Sequence, residues 1–140
     1  MGLAVLKIGF FSFFIAAFTY SANSVAACSM QNLVGRYGMK FEGHDYSLHL
    51  MDDKRGFFFL DDKKSNSFDW GEGNLEDEFF LLGDNSLFSM LSVMIKEKHR
   101  SEQLSGVKSG YFMITASCSF WRTSIQLDED VPRLERKSRN

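Results

Sequence analysis

The sequence predicts an all-β fold: an antiparallel up-and-down barrel of about seven or eight strands, with a β-sandwich as the alternative. Three observations lead there. "DYSLHLM", Asp45 to Met51, alternates, with Tyr46, Leu48 and Leu50 on one face and Ser47, His49 and Met51 on the other. Short apolar runs recur at spacings of roughly 8–12 residues, separated by polar turns. The links are of hairpin length, which favours a meander closed on itself, because closure removes exposed sheet edges.

The elements follow in order. "LVGRYGMKF", Leu33 to Phe41, opens the first strand, and Asp45 to Met51 forms the next. "DDKRG" has turn chemistry, with acidic residues and a glycine suited to positive φ. "FFFL", Phe57 to Leu60, resumes at once and completes a hairpin. "DDKKSNS" is a polar loop, and "FDWGEG" a short strand weakened by Gly71 and Gly73. "LEDEFFLLG", Leu75 to Gly83, is another strand. "SLFSMLSVMIKE", Ser86 to Glu97, is long and Leu/Met-rich enough for a helix, but its turn-like flanks and β neighbours favour a strand. The polar connection after it leaves room for a short strand around Glu102 to Ser105. "YFMITASCSFWRTSIQL" closes the domain, with Phe112, Ile114, Ala116, Cys118 and Phe120 expected to point inward.

The ends of the chain differ from the middle. Lys7, the apolar run Ile8 to Phe18, the polar "TYSANS" and the small residues through Ala27 have the order of a secretory signal, with cleavage expected between residues 24 and 28. The run is shorter than the ~20 apolar residues needed to span a bilayer. The predicted organisation is therefore 1–27 signal peptide, 28–125 barrel, and 126–140 a charged tail expected to be disordered. Cys28 has two readings. "VAAC" resembles the lipobox of bacterial lipoproteins, which would acylate the cysteine and anchor the protein to a membrane. Alternatively, an exported chain with two cysteines forms a Cys28–Cys118 bridge, and a closed meander would bring those positions together. The polar stretch before the cut favours ordinary cleavage, and hence a periplasmic or secreted protein with the bridge.

Composition excludes some functions. Without residues 1–27 the chain has 113 residues, with 15 basic against 18 acidic side chains, a net charge of −3 that offers no footprint for nucleic acid. No catalytic set is expected: neither cysteine has a local histidine partner, and His44, His49 and His99 read as surface residues. No cofactor is implied. No metal is expected either, since the acidic doublets Asp52-Asp53 and Asp61-Asp62 lack EF-hand spacing and precede cations. The surplus is aromatic. In Phe57-Phe58-Phe59 and in Phe79-Phe80 at least one ring must face outward on a two-faced strand. Those rings are scattered exposures, a partner surface, or the mouth of a lumen. The candidate ligand-binding set is Tyr37, Phe57, Phe59, Trp70, Phe79 and Phe112.

Gly35-Arg36-Tyr37 at the start of the first strand, with Arg122 after Trp121 in the last, resembles the lipocalin superfamily, in which a Gly-x-Trp step opens the barrel and a late arginine packs over the ring. Tyr37 stands where that family has tryptophan, and its Thr-Asp-Tyr signature is absent. The resemblance implies a barrel holding a small apolar ligand, with Trp121 and Arg122 closing one end near Tyr37. "SGVKSGYFMITASCSFW", Ser105 to Trp121, is more loosely similar to bacterial periplasmic lysozyme inhibitors, which are also small exported barrels with a late "SG…Y…W" region. Two functions are thus expected: an exported carrier of a small apolar ligand, or a protein-binding module such as an inhibitor or immunity protein.

Overall fold

The computed structural model describes residues 27–137; the predicted signal segment, apart from Ala27, lies outside them. A short helix α1 (Met30–Leu33) leads into β1 (Gly35–Phe41), β2 (His44–Leu50), β3 (Arg55–Leu60), β4 (Lys63–Lys64), β5 (Phe68–Glu72) and β6 (Glu78–Asp84). Helices α2 (Asn85–Met94) and α3 (Lys98–Ser105) follow, then β7 (Ser109–Cys118), β8 (Thr123–Gln126) and β9 (Leu134–Arg136). Every pairing is antiparallel. The ring runs β1-β2-β3-β5-β6-β7-β8-β9 and returns to β1, so eight strands close a barrel and β4 is an extra strand on β3. The predicted up-and-down barrel is the observed fold.

Local chemistry sets the strand positions. Glu42 and Gly43, both at positive φ (52° and 81°), make the two-residue turn between β1 and β2, a geometry that matches strand twist. In the next turn the positive φ falls on Lys54 (66°), not on the glycine expected to supply it. Gly56 lies inside β3 instead, where a Cβ would come within 2.6 Å of the Phe68 ring and 2.5 Å of the His49 carbonyl oxygen. Register then orients the phenylalanine run. Leu48 pairs with Phe58 and Leu50 with Gly56, so Phe58 shares the inward face of Leu48 and Leu50. Phe58 is fully buried, while Phe57 and Phe59 point out.

Three expectations are corrected. Residues 86–97 are not a strand. Asp84 caps α2 by accepting from the Ser86 amide at 3.0 Å, and Leu87, Phe88, Leu91 and Met94 fall on one buried helical face. The segment near Glu102 to Ser105 is the end of α3, capped by the Glu97 carboxylate on the His99 and Arg100 amides. The described part of the predicted tail, residues 126–137, is structured. Val131 and Leu134 are buried, and β9 is the strand between β8 and β1 that closes the ring. Three residues suffice because only Leu134 has to enter the core.

The barrel has two unlike ends. At the lower end lie Gly35, Leu50, Arg55, Glu78, Cys118, Thr123 and Arg136; α2 and α3 sit at the upper end. The interior holds aromatic rings from nearly every side: Tyr37, Tyr46, Phe58, Phe68, Trp70, Phe79 and Phe112 from strands, and Phe88 from α2, all at most 6 % exposed. Burying each contributes about 1.5–3 kcal/mol before entropy is counted. Leu33 of α1 is buried beneath the lower end, and Leu87, Phe88 and Leu91 cover the upper end. Asn66 secures the start of α2: its side-chain amide donates to the Asp84 carboxylate at 2.7 Å, and its backbone N–H donates to the Ser86 hydroxyl at 2.8 Å. Lys96, in the link between α2 and α3, pairs with Glu42 at 2.6 Å, and Arg100, in the first turn of α3, pairs with Asp128 at 2.5 Å.

Cys28 and Cys118 form a disulfide with Cα atoms 5.3 Å apart. The bond ties the chain entering α1 to the lower end of β7. A sulfur in this bond is not available for acylation, so the bridged form is distinct from a lipoprotein. Cys118 is buried with Phe112, Ile114 and Ala116, as its parity on β7 requires, but Phe120 is not. The strand ends at Cys118, and Phe120 stands in the turn beyond, 89 % exposed.

Candidate binding surfaces

The six residues predicted to line a ligand site divide between the two faces of the wall. Tyr37, Trp70, Phe79 and Phe112 are interior and buried. Phe57 and Phe59 are on the outer face of β3, so the structure does not bring them to the same site. Inside, Trp70 and Phe79 are 6.4 Å apart between ring centroids, and Phe88 meets Phe112 edge-on at 6.5 Å. Trp70 directs its indole N–H to the Met51 carbonyl at 3.1 Å. The Tyr46 hydroxyl is buried with no hydrogen-bond partner among the described residues. Burial, then Asp61 and Glu42, raise its pKa and keep it neutral.

Tyr37 has an arginine partner, but not the predicted one. Arg136, on β9 directly beside Tyr37, places its guanidinium 5.4 Å from the ring centroid and donates to the hydroxyl at 2.9 Å. The same group donates to the Asn32 and Val34 carbonyls, tying α1 to β9. The Tyr37 hydroxyl in turn donates to the Leu33 carbonyl at 2.7 Å. Burial raises the Tyr37 pKa, and the Arg136 hydrogen bond and charge oppose that shift. Arg122 instead pairs with Glu135 at the surface, holding that carboxylate below its usual range. Trp121 is 88 % exposed and closes nothing. The arginine at the Tyr37 ring is therefore Arg136 of β9, and the expected contact with Arg122 is not made.

The outer wall contains two contrasting areas. On β6 and β7 the outward residues Phe80, Leu82, Tyr111 and Met113 form two adjacent cross-strand pairs, Phe80 with Met113 and Leu82 with Tyr111. Tyr111 is 66 % and Met113 45 % exposed, and Phe80 meets Tyr111 edge-on at 5.4 Å. Gly71 on β5 makes room for the Phe80 ring, since a Cβ there would lie 2.9 Å from it. A barrel strand facing water should alternate apolar-in with polar-out, and here both faces are apolar. Alternation along "YFMIT" and the doublet Phe79-Phe80 contained this signal, although neither Tyr111 nor Met113 was among the predicted site residues.

Across the barrel, the outer face of β1 to β4 is basic. His49 packs against Phe59 at 4.5 Å, and Lys64 lies 3.9 Å from the Phe57 ring centroid. Burial first, then Arg36, Lys137 and Lys64, lower the His49 pKa. His44 donates from Nδ1 to the Asp61 carboxylate at 2.9 Å in the upper turns. Among the described residues no group of three metal-ligating side chains converges. No protein-family model, curated protein or solved structure matches this chain.

Proposed function

We propose that the protein is an exported binding module that recognises a protein partner through the outer wall of β6 and β7. The outward quartet on β6 and β7 carries this reading: Tyr111 and Met113 are exposed, and Phe80 and Leu82 beside them are half-buried. Aromatic residues and methionine are enriched at the cores of protein interfaces, and a contiguous apolar patch on a small barrel is unusual. The interior supports it from the other side. An eight-stranded barrel is just wide enough for side chains to fill, or for one small ligand. Here buried rings occupy it, and helices cover both ends, which favours an external partner over a small apolar ligand. The disulfide fits an oxidising compartment, and the ordered c-region before Cys28 fits export.

The test is site-specific photo-crosslinking in the producing cell. A photoreactive residue at position 111 should yield a discrete protein adduct, and one at Ser47 on the basic wall should not. Tyr111→Ser with Met113→Ser should abolish an adduct formed from position 80 while the melting temperature holds. Equal adducts from both walls would contradict a dedicated surface.

A further inference from the structure

We infer that the lower rim of the barrel is a second surface, one that seats on a lipid bilayer. Seven large hydrophobic side chains are exposed among the described residues. Four lie in the turns of the lower end: Met51 between β2 and β3, Leu75 between β5 and β6, and Phe120 and Trp121 between β7 and β8. Leu75 is 69 % exposed, Phe120 89 % and Trp121 88 %. The turns at the upper end contain none; Val93, the one exposed large hydrophobic there, lies on α2. Tyr111 and Met113, on the wall of β7, complete the seven. The apolar turn residues are therefore concentrated at one end of the barrel.

That end is also where the chain arrives. Cys28 is bonded to Cys118, two residues before Phe120, so the segment preceding residue 28 joins the domain beside the Phe120-Trp121 tip. Upstream lies the apolar run Ile8 to Phe18. The nine residues between Phe18 and Cys28 reach at most about 30–32 Å when extended. Before cleavage, while that run engages a membrane, the lower rim is held within a short distance of the bilayer; after cleavage the rim's own apolar residues have to make the contact. Tryptophan favours the water–lipid interface, where an apolar ring with one polar edge is accommodated. Phe120 and Trp121 meet edge-on at 4.7 Å and form a paired wedge at the hairpin tip.

The charges at this end are mixed. Lys54, Arg55 and Arg136 are set among Asp52, Asp53, Glu72 and Glu76, and Arg122 is paired with Glu135. Attachment should therefore depend on apolar insertion and be little affected by salt. The attachment is by these turns; among the described residues no helix is long and apolar enough to cross a membrane.

The protein contains its own probe. Trp70 is 2 % exposed, so a change in tryptophan emission on adding vesicles reports Trp121. With vesicles of phosphatidylethanolamine and phosphatidylglycerol, the exported protein should show a blue shift, quenching by brominated acyl chains, and co-sedimentation that survives high salt. Phe120→Ser with Trp121→Ser should weaken co-sedimentation at least about tenfold without changing the melting temperature. Tyr111→Ser with Met113→Ser should leave it intact, which keeps this surface separate from the proposed protein-binding wall. Absence of quenching and co-sedimentation in the unsubstituted protein would overturn the inference. So would vesicle binding that is unaffected by the tip substitutions, or a tip that crosslinks to a protein and never to lipid.

Discussion

Reducing the Cys28–Cys118 bond should remove a large part of the stability of this domain. The bond closes a loop with a sequence separation of 90 residues. Chain-entropy arguments assign such a loop about 4–5 kcal/mol through the denatured state, against the ~5–15 kcal/mol available to a typical domain. The native side adds a local effect. The bond fixes the start of α1, where the Cys28 amide donates to Asp77 at 2.7 Å and Leu33 is fully buried beneath the barrel. Urea denaturation with and without reductant measures the sum. With an m-value of ~1–3 kcal/mol per molar, the midpoint should fall by roughly 2 M, and m should rise because the uncrosslinked denatured state exposes more surface. Cys28→Ala with Cys118→Ala should reproduce the reduced behaviour. Two labelled thiols in unfolded, unreduced protein would refute the bond itself. A bond present but a midpoint shifted by less than about 0.5 M would refute the entropic reasoning.

Further outcomes test particular placements. Phe58→Ala should cost about 3–5 kcal/mol by leaving a cavity, whereas Phe57→Ala, on the outer face, should cost about 1 kcal/mol or less; chemical denaturation distinguishes them. Arg136→Ala should cost about 1–3 kcal/mol by removing charged donors from Tyr37 and the α1 carbonyls, and Arg122→Ala should change the melting temperature far less. His49, with its pKa lowered in the folded protein, binds a proton less readily than in the unfolded chain, so stability should rise with pH across the window below 6.5 and fall on acidification. The groups facing it are Arg36, Lys137, Lys64 and the Phe57 and Phe59 rings. His49→Gln should flatten that part of the profile. Loss at lower pH should remain, as Asp61, Asp84, Glu97 and Glu135, all held below their usual pKa, take up protons.

The barrel was legible because β2 and β7 alternate cleanly and the turns between strands are short. The bridge was legible because closure brings the first segment beside β7. What was hidden depended on where an element stops. Asp84 reads equally as the end of a turn or as a helix cap, and only the spacing of Leu87, Phe88, Leu91 and Met94 distinguishes α2 from a strand. β9 contributes a single inward apolar side chain, Leu134, within a charged stretch, too little for a periodic signal. Arg136, which contacts the Tyr37 ring and hydroxyl, falls in the charged stretch expected to be a tail, so the sequence offers no reason to place it there. The run Phe57-Phe58-Phe59 has no parity of its own, and the partner residue Leu48 decides which ring enters the core. Phe79-Phe80 did signal that one ring must face out, but its neighbours Tyr111 and Met113 emerge only from cross-strand register.

The central claim is that this barrel binds through its outside while its own rings occupy the inside. Native mass spectrometry of the exported protein, isolated without detergent, addresses it most directly. The predicted result is the mass of the bare chain cleaved between residues 24 and 28, two hydrogens lighter for the disulfide. A reproducible extra mass that is released on unfolding, and is unchanged by Tyr111→Ser with Met113→Ser, would place a ligand inside the barrel and contradict the account.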